Sequence, residues 1–321
     1  MNNFKKIGLT ALAGSLIATS AFAGSMSVSG SADIALKNQS NAASGNSFSS
    51  GDSLNFTGSG ELENGLTVTS NVEVDGGNYD DRSIVIAMPD MGSLTFQTSG
   101  STAMGAVGDM SPSAADKSWD VIGATTAATR VAAGQTLKAT DIGGYGTANE
   151  FKYVAPELVE GLGATISYTP SGTGRPDGTT SFALSYTGVE GLTLGYAEED
   201  NGLAGTSKID ANTMYATYAF GSFVVGVQSS EADGGTSAAD DEFSSHGITY
   251  QINDDLTIGY HASEYQFGDQ TADQESKSMQ VSYTTGGMSI VAQSVSMDNV
   301  GGSTASRDDV DGYKVAVTFA F

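Results

Sequence analysis

Residues 311–321 read DGYKVAVTFAF. In an extended chain successive side chains point to opposite faces, so Tyr313, Val315, Val317, Phe319 and Phe321 share one face, and Lys314, Ala316, Thr318 and Ala320 share the other. The first face is apolar throughout, carries an aromatic ring at each end, and has no chain beyond Phe321 to cover it. Lipid is the expected cover, with the rings at the two interfaces of a bilayer. This stretch is read as a membrane-spanning strand, and the rest of the chain must supply its partners.

Those partners recur along the whole length. At the other end, Met26, Val28, Gly30, Ala32, Ile34 and Leu36 alternate with Ser25, Ser27, Ser29, Ser31, Asp33 and Lys37. The same period-two count places further strands at 54–62, 66–74, 83–88, 94–98, 149–155, 163–169, 181–187, 192–197, 211–220, 223–229, 244–252, 256–263, 276–283 and 288–296, about sixteen with the two ends. Short turns such as Glu63-Asn64-Gly65 and Gly221-Ser222 alternate with longer acidic, Gly/Ser-rich loops near 38–52, 75–81, 100–148, 170–180, 198–210, 230–242, 264–275 and 297–309. Backbone amides cannot be left unpaired in hydrocarbon, so a spanning sheet must close on itself. The expected fold is an all-β transmembrane antiparallel β-barrel over 24–321, with short periplasmic turns and long extracellular loops. About sixteen strands leave room for water inside, lined by polar faces such as Asn55, Thr57, Ser59, Thr67, Thr69, Asn71 and Glu73.

The N-terminus predicts export. Lys5 and Lys6 precede an apolar and small-residue run over 7–20, and Ala21-Phe22-Ala23 is an A-x-A cleavage site, so residues 1–23 read as a signal peptide. Removing them leaves 321 − 23 = 298 residues and, without the two lysines, moves the net charge from −24 to −26. No later stretch reaches the ~18 consecutive apolar residues of a membrane helix. There is no cysteine, hence no disulfide and no thiolate metal site. With 37 acidic against 13 basic residues, nucleic acid is not the expected partner; the acidic balance fits the solubility of long exposed loops first, and cation-attracting surfaces or divalent-ion binding between loops as alternatives.

One connection is too long to be a plain loop. Residues 100–148 show no sustained alternation and hold Asp109, Asp116, Asp120 and Asp141, the basic Lys117, Arg130 and Lys138, and Trp119, the one tryptophan. An exposed surface loop and a functional loop are both open on this reading, although unstructured connections of that size inside a domain are commonly functional.

At this point the chain resembles the general diffusion porins of alphaproteobacteria, the type found in purple photosynthetic bacteria. The resemblance rests on the export signal, SVSGSADIAL at 27–36, GSLTFQTSGSTAMGAVGDM at 92–110 leading into the long loop, and KVAVTFAF at 314–321. It implies a sixteen-stranded barrel in the outer membrane, a homotrimer, passive diffusion of ions and small hydrophilic solutes, and a third loop folded into the lumen as a constriction. In such porins acidic side chains on that loop face basic ones on the wall. Carried onto this sequence, the acidic set is Asp109, Asp116, Asp120 and Asp141. Strand parity offers Lys37, Lys152, His261 and Lys314 as the basic wall, and leaves Arg82 undecided because its strand is apolar on both faces. That basic set is thin, so a cation-preferring pore is expected. Rival readings are a substrate-selective channel and a surface barrel or adhesin working through its loops.

Other motifs carry little. Gly51-Asp52-Ser53-Leu54 spells a lipase nucleophile block, but neither His246 nor His261 follows an aspartate at the needed spacing, so no catalytic residue and no enzymatic step is expected. The two histidines do not make a zinc site. No cofactor is required. Related porins can carry loop calcium, for which the acidic groups near 75–81, 240–242 and 308–311 are the carboxylate-rich candidates, although none has an EF-hand pattern.

Overall fold

The computed structural model describes residues 24–40, 46–98, 101–120, 129–132, 135–138, 142, 149–172, 177–205, 208–235, 240–302, 304 and 309–321. The expected signal peptide over 1–23 and Asp141 lie outside the described residues. In chain order the strands are β1 (Ser25–Gln39), β2 (Ser47–Glu61), β3 (Thr67–Asp75), β4 (Asn78–Met88), β5 (Gly92–Gln97), β6 (Thr129–Ala132), β7 (Gln135–Lys138), β8 (Glu150–Val154) and β9 (Leu162–Thr169). They continue as β10 (Thr179–Val189), β11 (Leu192–Asp200), β12 (Ile209–Phe220), β13 (Phe223–Gly234), β14 (Asp241–Gln251), β15 (Leu256–Gln266), β16 (Gln274–Thr285), β17 (Met288–Asp298) and β18 (Val310–Ala320).

Sixteen of these close into one antiparallel barrel, in which β5 pairs directly with β8 and β18 returns to β1. The closing register runs from Ser31 opposite Ala320 to Gln39 opposite Gly312. Phe321 completes it: its carbonyl accepts from the Gly30 N–H at 2.8 Å and its own N–H donates back to the Gly30 carbonyl at 2.9 Å. From Gly30 to Gln39 the seam therefore pairs across the barrel instead of leaving an open sheet edge to hydrocarbon.

Two connections are shorter than expected. The 75–81 loop is a two-residue turn, because Gly76 and Gly77 take φ of 54° and 81° and let Asp75 pair with Asn78. Glycine adopts such angles without steric cost, which is what a tight hairpin needs. The 38–52 loop is narrowed from its far side, since β2 already begins at Ser47, opposite Lys37. Ladder pairing costs nothing extra above the bilayer, so strands run on past their apolar band. The long insertion, which shows no sustained alternation, contains the short β6–β7 hairpin as a separate two-stranded sheet.

Faces follow the alternation. Outward side chains such as Ile84, Phe96, Phe151, Ile166, Met214 and Met279 are exposed, as a lipid-facing wall requires. Near the short turns, Tyr218, Phe220, Phe223 and Tyr250 form a continuous row of rings with centroids 5.7, 5.4 and 4.5 Å apart. Arg82 resolves outward: the next residue, Ser83, accepts from Asn71 Nδ2 at 3.3 Å on the inner face, and the Arg82 guanidinium lies 6.0 Å from the Tyr79 ring. The buried apolar cluster is not a sandwich core. It gathers Met104 and Trp119 of the long insertion against Phe243, Tyr265 and Met297 of the strands and Phe267 just past β15.

Candidate functional site

Residues 101–120 do not lie on the outer surface; they run along the inner wall of the barrel and touch strand after strand. The Ala103 N–H donates to Ser167 Oγ on β9 (3.0 Å), the Met104 N–H to Ser181 Oγ on β10 (2.7 Å), and Thr102 Oγ1 to the Glu199 carboxylate on β11. A 3-10 turn at Gly105–Val107 then redirects the segment. Gln228 on β13 accepts from the Met110 N–H (2.7 Å) and donates to the Gly108 carbonyl (2.5 Å). Further on, Gln280 on β16 accepts from the Ala114 N–H (2.8 Å) and from Ser113 Oγ (3.0 Å), and donates to the Asp116 carbonyl (2.8 Å). Each of these wall residues stands on the inner face of its strand. Ser167, Ser181, Gln228 and Gln280 satisfy loop backbone that would otherwise be buried without a partner, and Glu199 takes a loop hydroxyl.

His261 on β15 is the centre of the seat. It is fully buried, with Ser111 Oγ 2.8 Å from Nε2 and the Ser118 N–H donating to Nδ1 at 3.2 Å. The hydrogen-bond network thus assigns the proton to Nε2. Trp119 packs edge-on against it at 5.0 Å and against Phe243 at 5.1 Å. Parity correctly puts His261 on the inner face. The loop then covers it, so it is a clamp under the segment rather than a charge on an open wall.

The remaining candidates fall into pairs. Asp116 and Lys314 on β18 form an ion pair that joins the loop directly to the wall. Asp109 pairs within the loop with Lys117 at 3.1 Å. Lys152 on β8 donates to the Ser101 carbonyl at 2.6 Å, at the entry of the segment. Lys37 lies opposite Lys314 in the β1–β18 register. Asp120 is exposed, its N–H closing a turn onto the Lys117 carbonyl at 3.1 Å. Lys152 and Lys314 therefore meet the loop by contact, not across an open gap.

Sequence reasoning missed several members. Glu150 is buried, accepts from Gln97 Nε2 at 2.6 Å, and has an Oε1 without a hydrogen bond among the described residues. Glu199, Gln228, Ser245 and Gln280 were equally unmarked; inward parity was available for each, but nothing local distinguishes a polar residue beneath a loop from one facing water. Ser53 of the lipase-like block sits on β2 and donates to Glu73 Oε1 at 2.6 Å, while His246 faces outward. Among the described residues no group of three His, Cys, Asp or Glu converges as metal ligands.

The opposite wall is open. On β2 and β3 the inward Asn55, Thr57, Asn71 and Glu73 are only half-buried, and their bonds stay within this wall: Thr57 Oγ1 donates to Asn71 Oδ1 at 2.9 Å, and Ser53 Oγ accepts from Asn55 and donates to Glu73. A closed barrel, a segment seated on one side of its lumen and a polar wall on the other make a narrowed aqueous passage.

Comparisons with known proteins agree. No curated protein sequence is significantly similar. Among solved structures, the loop L8 deletion mutant of OmpT, an outer membrane protein of Vibrio cholerae, superposes with a TM-score of 0.68 at 16% identity, covering 93% of this chain and 100% of that one. An anion-selective porin from Comamonas acidovorans gives 0.64 at 15%, covering 93% and 100%. A mutant of the Rh. blastica porin gives 0.64 at 14%, covering 92% and 100%. At such identities these likenesses speak for the fold. The family model for Gram-negative porins matches residues 8–321, nearly the whole chain. The protein is thus an outer-membrane barrel, and it belongs to the Gram-negative porin family.

Proposed function

We propose that this chain is a general diffusion porin of the alphaproteobacterial type, exported by its first 23 residues and working as a homotrimer that passes ions and small hydrophilic solutes down their gradients. The observation that carries the reading is the seating of residues 101–120 on the inner wall of β9–β18, which narrows the lumen without closing the β2–β3 side. Asp109, Asp116 and Asp120 on the loop, with Lys37, Lys152 and Lys314 on the wall, are the charges set around that constriction. Asp116 and Asp109 each have a lysine partner, so the cation preference rests on the overall excess of 37 acidic over 13 basic residues. Such an excess raises the local concentration of cations at a low-dielectric mouth. A trimer form of the Vibrio cholerae OmpT has been solved, which supports the same assembly here. No chemical step and no cofactor enter this reading.

Single-channel recording of the mature chain in a planar bilayer, under a salt gradient, tests it. Ohmic steps in triplets with a cation-selective reversal potential are expected. A silent bilayer from protein demonstrated to be folded and inserted would overturn the diffusion pore.

A further inference from the structure

Three inward positions beneath the loop lack a side chain: Gly226 on β13, Gly247 on β14 and Gly259 on β15. None has the positive φ that would explain a glycine by backbone conformation. Space explains them. A Cβ at Gly247 would stand 1.9 Å from the Pro112 carbonyl oxygen; one at Gly226 would stand 2.6 Å from Pro112 Cδ; one at Gly259 would stand 2.9 Å from Ala114 Cβ and 3.1 Å from Ala114 N. Cβ atoms are essentially never found that close, so a side chain at any of the three displaces something. Gly226 and Gly247 are directly opposite each other, Gly247 faces His261, and Gly259 faces Gln280. The three glycines therefore lie directly beside the groups that bond the loop.

We infer that Gly226, Gly247 and Gly259 are positioning residues that set how deep Pro112–Ala114 lies against the wall, and hence how wide the passage is. The inference rests on the diffusion-pore reading above. Gln228 and Gln280 hold the segment on both flanks, so a methyl group added under its middle moves it toward the lumen instead of releasing it. Width is then decided from the wall, by absent side chains, as much as by the loop's own sequence.

The test is a rescue cycle in the full mature chain. Gly259→Ala is expected to lower single-channel conductance, and Ala114→Gly, which removes the nearest atom it meets, to restore most of it in the double variant. Gly247→Ala is expected to lower conductance further, and Ala114→Gly not to restore it, because the clash there is with the Pro112 backbone. Gly58→Ala, where an added Cβ meets nothing within 4 Å, is the control for a glycine replacement in a strand. Amide hydrogen exchange at Met110 and Ala114 gives a readout independent of current, and faster exchange is expected in both seat variants. Unchanged or raised conductance with unchanged exchange in Gly259→Ala and Gly247→Ala, from a wild type that conducts, would overturn the seat. A silent wild type whose Gly247→Ala variant still exchanges faster would instead overturn the pore reading and leave the seat standing. Should Gly247→Ala fail to fold, the Gly259→Ala and Ala114→Gly cycle decides alone.

Discussion

On β14–β16 the inward Ser245, His261, Ser276 and Gln280 are 2%, 0%, 1% and 5% exposed, whereas on β2 and β3 the inward Asn55, Thr57, Asn71 and Glu73 keep part of their surface open. Both walls are built from the same hydroxyls, amides and charged groups on the same period. Their hydrogen bonds go to different places. The first wall bonds a loop: Ser245 Oγ donates to Ser111 Oγ at 2.9 Å, and Gln280 holds four loop groups. The second bonds itself, through Thr57 to Asn71 and Ser53 to Glu73 at 2.6 Å. A polar inner face is thus a binding surface on one side and a wetted wall on the other, and only the covered side can hold the loop still.

The comparison can be broken most directly by removing the cover. Deleting residues 111–118 should give the largest effect, a clear rise in single-channel conductance; an unchanged current would mean that the segment does not restrict the passage. Gln280→Ala should cost roughly 1–3 kcal/mol in unfolding free energy, because the Ala114 N–H and the Asp116 carbonyl lose a buried partner. Asn71→Ala on the open wall should cost under about 1 kcal/mol, since water can replace its bonds. Thermal unfolding of both in the same detergent would show whether the two walls differ as described, and equal losses would not fit.

Charge changes should be smaller in stability and visible in selectivity. Asp116→Asn leaves Lys314 without its carboxylate and should move the reversal potential toward anions; Lys314→Gln should move it toward cations. With Asp116 about a third exposed, either change should cost no more than about 1 kcal/mol. Identical reversal potentials for both variants would remove the pair from the conducting path. Asp109→Asn should give the smallest effect, a slight shift toward anions and below about 0.5 kcal/mol, because its pair with Lys117 is internal to the loop and half open to water.

Much of the barrel was legible residue by residue. Period-two alternation marks the faces of a strand, and the alternation at 311–321 called for closure on β1, which Phe321 and Gly30 complete. Strand limits were less legible: Gly76 and Gly77 make a tight turn where a longer acidic loop was expected, because loop-like composition does not forbid ladder pairing above the bilayer. Arg82 could not be assigned on a strand apolar on both sides until Ser83 was seen bonded to Asn71. His261 had the right face and an unexpected role, since the loop that covers it is remote in the chain.

By itself the sequence determined a closed all-β barrel with an apolar outside and a polar inside, because strand periodicity and the need to pair every backbone amide in lipid act on neighbours in the chain. The tertiary structure alone decided which part of the polar inside is covered. Ser111 meets His261 across 150 residues and Ser113 meets Gln280 across 167, and the glycines that make room for the loop differ from other strand glycines only in what stands opposite them. Contacts at such separations depend on how the barrel curves and where the loop lands, and no local pattern records either.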